Sequence, residues 1–329
     1  MGSYNGRSCV ELVGSSPAII GLQRVIRRFA AIDAPVLIVG ESGSGKEMVA
    51  NLLHQHSRRL GGPFVTVNCA ALPDTLFQSE VFGYERGAVT GAEHRNVGRI
   101  LAAEGGTLLI DEVGDLSLDN QTALLHFLEE GSFERLGSCQ PIKADVRTVA
   151  ATHADLESAC RVGHFREDLF YRLGALRIQV PPLRKRGDDV LALARRFINQ
   201  FARQYEVVVR DLDERAVRAL LAHAWPGNVR ELKNRVLQAL AMSEGATISD
   251  QDLGLVVSEQ TTGNGSQDLR EVPSLRACRK RAEREAIMQA LQAAGGNVQS
   301  AAAHLRVSRA QLYRLIKNHQ LDHHLSAAG

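Results

Sequence analysis

"VLIVGESGSGKE", Val36 to Glu47, is the stretch whose reading decides the fold. A short β-rich apolar run leads into a loop with glycine at 40, 43 and 45, and "KEMVANLLHQHS" follows with helical character. Strand, glycine loop and helix start, in that order, make a P-loop. Glycines let backbone N–H groups close around phosphate oxygens, and the helix N-terminus adds the positive end of its dipole. Gly40, Glu41, Ser42, Gly43, Ser44, Gly45 and Lys46 are therefore the candidate phosphate-binding set, with Lys46 reaching the β- and γ-phosphates of a nucleotide. Glu47 stands where P-loops in general carry Ser or Thr to hold magnesium.

A second apolar strand, "GGTLLIDE" (Gly105 to Glu112), ends in two carboxylates. Beside a P-loop, Asp111 is the candidate Mg²⁺ ligand and Glu112 the group that orients and polarises the attacking water. Further β-rich runs, "FVTVN" (Phe64 to Asn68), "DVRTVAAT" (Asp145 to Thr152) and "LRIQV" (Leu176 to Val180), alternate with helical stretches. That rhythm predicts an α/β fold with a parallel sheet covered on both faces, over residues 1–180. "VPPLRKRGDD" breaks the rhythm with two prolines. From there to about residue 257 the chain reads as helical only, with apolar residues at three- and four-residue spacing. A polar, aperiodic linker (258–274) precedes a last helical segment, 275–329.

Composition excludes several classes. The chain has 329 residues, 44% hydrophobic and 23% charged, which is globular rather than disordered. No apolar run approaches the roughly 20 residues of a membrane helix, and no secretion signal is read at the N-terminus. Five scattered cysteines without a C-x-x-C pair argue against disulfides or zinc and for a reducing cytoplasm. The net charge of +2 is uneven: from Ser274 onward nine Lys/Arg face three Asp/Glu. A basic tail on a mildly acidic body points to nucleic acid.

Five motifs now stand in order: "GESGSGKE", "GAVTGA" (Gly87 to Ala92), "GGTLLIDE", "FREDLFYRL" (Phe165 to Leu173) and "WPGNVREL" (Trp225 to Leu232). Together they resemble the AAA+ domain of bacterial enhancer-binding proteins, which activate sigma-54 RNA polymerase. In that family Glu after the P-loop lysine is usual. The resemblance implies a cytoplasmic ATPase using ATP and Mg²⁺, a homo-oligomer in which dimers assemble to a hexamer. It implies that Asn68 restrains the catalytic Glu112 and that Arg166 and Arg172 reach the nucleotide of a neighbouring subunit. Arg230 would sense nucleotide state from the lid, and Leu12 to Ile19 would pack near the adenine. Gly87, Ala88, Val89, Thr90, Gly91 and Ala92 would form the loop that pushes on sigma-54.

The chain departs from the family pattern at Val89, where the family has Phe. It departs again at the sensor pair Thr152–His153, where the family has Thr-Asn. No receiver or ligand-binding domain is expected ahead of the P-loop strand.

The last segment resembles the Fis-type helix-turn-helix found in the same family. Gly295-Gly296 suits a helix end, Asn297 caps the helix "VQSAAAHL", and Ser308 caps "RAQLYRLIKNH". Ser308, Arg309, Gln311, Arg314 and Lys317 are the candidate contacts to bases and phosphates of upstream DNA. Arg306 replaces the usual turn glycine. The leading reading is an ATP-driven transcriptional activator acting on sigma-54 polymerase. A second reading, supported by Val89 and His153, is a DNA-binding regulator independent of sigma-54, in which nucleotide controls assembly only.

Overall fold

The computed structural model describes residues 12–88, 94–208, 211–243 and 247–255, and, nearer the C-terminus, 287–288, 290, 294, 298–305, 307–309 and 311–312. The chain divides into two compact units, 1–258 and 259–329.

In the first unit five strands form one parallel sheet: β1 (Val36–Val39), β2 (Phe64–Asn68), β3 (Thr107–Asp111), β6 (Arg147–Thr152) and β7 (Leu176–Gln179), in the order β2-β3-β6-β1-β7. Side chains alternate across the sheet, as strand geometry requires. Leu37, Leu108, Ile110 and Ala150 bury one face against α3 (Asp74–Val81), α5 (Leu118–Glu130) and α7 (Glu167–Leu173). Val36, Ile38, Leu109, Val149 and Ala151 bury the other against α1 (Pro17–Ala30) and α2 (Lys46–Gln55). Each such large side chain taken from water contributes about 1.5–3 kcal/mol. The parallel sheet with helices on both faces is the architecture the sequence predicts.

The order matters for chemistry because β6 lies between β1 and β3. Val39 is level with Thr152, and Asp111 with Ala151. The P-loop, the paired carboxylates and the Thr152–His153 turn therefore leave the carboxyl ends of three adjacent strands together.

Helix α1 begins at Pro17 with Ser16 as N-cap, whose Oγ accepts from the Ile19 N–H at 3.3 Å. Its C-terminal carbonyls, Phe29 and Ala30, accept from the buried Arg147 guanidinium at 2.8 and 3.0 Å. A short hairpin, β4 (Ser132–Phe133) with β5 (Ile142–Lys143), was not legible in the sequence.

The helical part, α8 (Asp189–Gln204), α9 (Glu214–Ala222) and α10 (Asn228–Met242), closes over its own core around Trp225, with a two-residue ladder from β8 (Asp211–Leu212) to β9 (Thr247–Ile248). In the second unit, α11 (Val298–His304) belongs to a small core of Ile287, Ala290, Ala301, Ala302 and Leu312. The 258–274 linker lies outside the described residues.

Candidate active site

Gly45, at φ 104°, is the left-handed N-cap of α2, so the loop turns directly into the helix and delivers Lys46 at its first position. Lys46 is 6% exposed. Its ammonium donates to the Gly40 carbonyl and to Glu112 Oε1, both at 3.1 Å. The Gly40 N–H donates to the Thr152 carbonyl at 3.2 Å, tying loop to sensor strand. Ser44 Oγ is buried without a partner among the described residues.

Glu112 follows β3 in the left-handed region (φ 55°, ψ 50°), a conformation costing a non-glycine residue roughly 1–2 kcal/mol. This turn swings its carboxylate away from β2 and towards the ends of β1 and β6. Oε1 meets Lys46; Oε2 accepts from the His153 N–H at 3.1 Å and pairs with His153 Nδ1 at 2.7 Å. Burial raises the carboxyl's pKa, but the hydrogen bonds from His153 and Lys46 outweigh it and hold Glu112 below its ordinary value. Asp111 shifts the other way: burial first, then the charge of Glu112, pushes its carboxyl up.

Asn68 is level with Asp111 on β2, on the strand that flanks β3 opposite β6. Thr152 is fully buried and its Oγ1 accepts from the Ala154 N–H at 3.0 Å.

The helical part covers the P-loop. Asn228 (φ 52°, fully buried) accepts from the Leu183 N–H at 2.8 Å. Its amide donates to Glu41 Oε2 and to the Ser42 carbonyl, each at 3.1 Å. The Gly43 carbonyl accepts from the Val229 N–H at 3.0 Å. Gly43 (φ 73°) has no room for a side chain, since a Cβ there would stand 2.5 Å from the Gly227 carbonyl. Arg184 clasps Glu41 with two bonds of 2.7 and 2.5 Å, which with Asn228 hold that carboxyl down at about 2. Glu41, read from sequence as a phosphate-loop residue, thus faces the lid. Arg186 donates to the Ser44 carbonyl at 2.6 Å, and Arg230 to Ser42 Oγ at 3.1 Å.

Between loop and lid lies a cleft of about 350 Å³, lined by Lys46, Glu47, Asp111, Glu112, Arg230 and Lys233 among others. Lys233 escaped sequence reading, although it sits one helical turn beyond Arg230 and hence on the same face.

Arg166 and Arg172 do not line this cleft. Arg166 pairs with Asp168 at 2.7 Å and Arg172 donates to the Leu128 carbonyl at 2.7 Å, both on the surface. Of the "GAVTGA" segment, Gly87 and Ala88 are described; Val89, Thr90, Gly91 and Ala92 lie outside the described residues. Its base is pinned where Tyr84 bridges Asn96 and Leu136, and where Glu85 pairs with the buried Arg135 at 2.9 Å.

In the C-terminal unit Ser308 Oγ accepts from the Gln311 N–H at 3.2 Å, while Gln311 Oε1 accepts from the Ser308 N–H at 3.1 Å. This is a capping box, which occupies the Gln311 side-chain oxygen and leaves its amide N–H groups to donate. Arg309 is exposed; Arg314 and Lys317 lie outside the described residues.

The inserted central strand, the P-loop lysine beside a carboxylate pair, and the helical lid define an AAA+ ATPase. Residues 12–179 match the Sigma-54 interaction domain, 184–269 the AAA+ ATPase lid domain, and 279–319 the Bacterial regulatory protein, Fis family. The chain belongs to the sigma-54-dependent activator family, with a Fis-type DNA-binding domain. It is 44% identical over 307 residues to the transcriptional regulatory protein ZraR of Klebsiella oxytoca, covering 92% of this chain and 67% of that protein. It is 40% identical over 314 residues to the regulatory protein AtoC of Escherichia coli, covering 95% and 68%. The crystal structure of NtrX from Brucella abortus with ADP superposes with a TM-score of 0.73 at 35% identity, covering 94% of this chain and 69% of that one. The NtrX structure with ATP gives 0.70 at 34% identity, covering 94% and 70%.

Proposed function

We propose that the chain hydrolyses ATP within a ring of its own copies and uses the movement to remodel sigma-54 RNA polymerase from upstream DNA. Lys46 binds the β- and γ-phosphates, and Glu112 orients water for attack on the γ-phosphorus, accepting the proton as ADP leaves. Mg²⁺ would supply charge neutralisation on the phosphates, with Asp111 the residue suited to hold it. The raised Asp111 carboxyl, next to a second carboxylate, marks uncompensated negative charge that a divalent cation relieves. Among the described residues no cluster of three His, Cys, Asp or Glu gathers for a metal. Mg²⁺ bound through one or two carboxylates plus substrate phosphates needs none.

The observation that carries the oligomeric part is the placement of Arg166 and Arg172 outside their own cleft. Exposed apolar residues stand on or beside the same helices: Tyr171 on α7 and Val162 just after α6 (Leu156–Arg161), each 67% exposed, and Leu118 on α5 at 49%. Large exposed apolar residues framing two arginines suit a subunit interface, with the arginines reaching a neighbour's nucleotide. An arginine so placed is worth roughly 10³–10⁵ in rate. The test mixes two inactive chains. Arg172→Ala with Glu112→Ala should restore turnover at mixed interfaces, and native specific activity should rise with protein concentration. A concentration-independent rate, with no complementation, would refute assembly in trans.

The "GAVTGA" loop carries force in this reading. Its base is joined through Tyr84 and Glu85 to Leu136 and Arg135 on the β4–β5 hairpin side, and the chain runs on from that hairpin into β6, which ends at Thr152.

A further inference from the structure

The Glu112 carboxylate is held on both oxygens by groups of different fates, and His153 is the one the family pattern does not supply. We infer that His153 is a positioning residue that fixes Glu112 Oε2 through an Nδ1–H donor, while Lys46 is a removable lock on Oε1 that the nucleotide itself withdraws. The inference rests on Glu112 being the base, as proposed above.

The chemistry follows from donor counting. A carboxylate oxygen accepts and does not donate. The 2.7 Å contact to Nδ1 is a hydrogen bond only if Nδ1 carries the proton. The His153 N–H, at 3.1 Å from the same oxygen, anchors that oxygen to the turn leaving β6. Lys46 at 3.1 Å from Oε1 pairs with the charge on that oxygen and so lowers its basicity towards water. Phosphate oxygens compete for Lys46 but have no hold on the His153 backbone. Nucleotide binding therefore frees Oε1 and leaves Oε2 tied, which aims one free lone-pair oxygen at the cleft.

Asn and Gln separate the two ring nitrogens. An Asn amide places a donor near the position of Nδ1; a Gln amide reaches the position of Nε2 instead. In the full-length chain, His153→Ala should lower kcat about 10-fold or more, the scale of a misplaced base, with ADP affinity within about two-fold of native by the same reckoning. His153→Asn should recover most of that loss and His153→Gln should not. Gln rescuing better than Asn would overturn the inference, because the working nitrogen would then be Nε2. A readout independent of turnover is ¹⁵N NMR of the histidine-labelled, nucleotide-free chain. His153 should show a protonated, strongly hydrogen-bonded Nδ1 that loses its shift in Glu112→Ala. An Nε2–H tautomer with bare Nδ1 refutes the inference even if ATP hydrolysis and assembly are intact. A native chain without ATPase activity would instead refute the base assignment on which it rests.

Discussion

Asn228 is the test of how lid and P-loop are joined. Its side chain joins two segments far apart in sequence: the Leu183 N–H on one, and the Glu41 carboxylate and Ser42 carbonyl on the other. Asn228→Ala orphans the buried Leu183 N–H, which costs about 1–3 kcal/mol. It also removes a weaker, more exposed pair of bonds at Glu41 and Ser42. At φ 52° alanine tolerates the backbone worse than asparagine, adding about 1 kcal/mol. The expected loss is about 3 kcal/mol. The chain contains one tryptophan, Trp225, 1% exposed in the lid core and bonded to the Leu220 carbonyl at 2.9 Å. Its fluorescence therefore follows lid unfolding without assuming that the whole chain melts as one. With a urea slope of about 1.5–3 kcal/mol per molar, the midpoint should fall by about 1–2 M. Asn228→Gly relieves the backbone cost but not the lost bonds, and should recover only about a third of the loss. A native-like midpoint for Asn228→Ala, or full recovery with Gly, would refute the clasp.

Three further outcomes are expected. The buried His54, 2.9 Å from Thr107 Oγ1, has its pKa pushed down by burial and then by the Arg147 charge. Between that lowered value and 6.5 the unfolded chain binds a proton the folded one refuses, so stability present above 6.5 falls as pH drops. The melting temperature of His54→Phe should lose part of this pH dependence, and an unchanged profile would refute the assignment. Val89→Phe should strengthen nucleotide-dependent trapping of sigma-54 and leave basal ATPase nearly unchanged, since an aromatic ring restores contact area. If neither form traps sigma-54 while both hydrolyse ATP, the sigma-54-independent regulator takes the place of the remodelling reading. Arg309→Ala should weaken DNA binding and reduce the salt slope by about one, measured by titration at several salt concentrations, with ATP affinity unchanged. An unchanged slope would remove Arg309 from the phosphate contacts.

What was legible in the sequence follows from range. The five strands, the P-loop and the carboxylate pair are local patterns, and each stands where its residues predicted. The clasp of Arg184 and Asn228 on Glu41 joins residues 143 and 187 apart, and no local spacing announces it. The pairing of Glu112 with His153 spans 41 residues and depends on strand order. Glu112's left-handed turn has no sequence signal at all. Gln311 is different: Ser-x-x-Gln before an apolar residue is itself a capping-box pattern, and that signal was present at Ser308.

These contacts also constrain how nucleotide binding can move the lid. Lys46 holds Gly40 and Glu112, and Arg230 holds Ser42, so both cations have protein partners before any phosphate arrives. Because both donors are cations, their present bonds are already charge-assisted, and moving them to phosphate oxygens gains only the difference between two such sets. That difference, not the full strength of the new bonds, is what binding can put into motion. The Arg184–Glu41 clasp need not break, because neither partner lines the cleft. Gly43 and Arg186 likewise join lid and loop through backbone carbonyls. Asn228 and Val229 at the start of α10 are themselves bonded to Glu41, Ser42 and Gly43, so the side chains of Arg230 and Lys233, rather than the helix end, are the parts left to meet the phosphates.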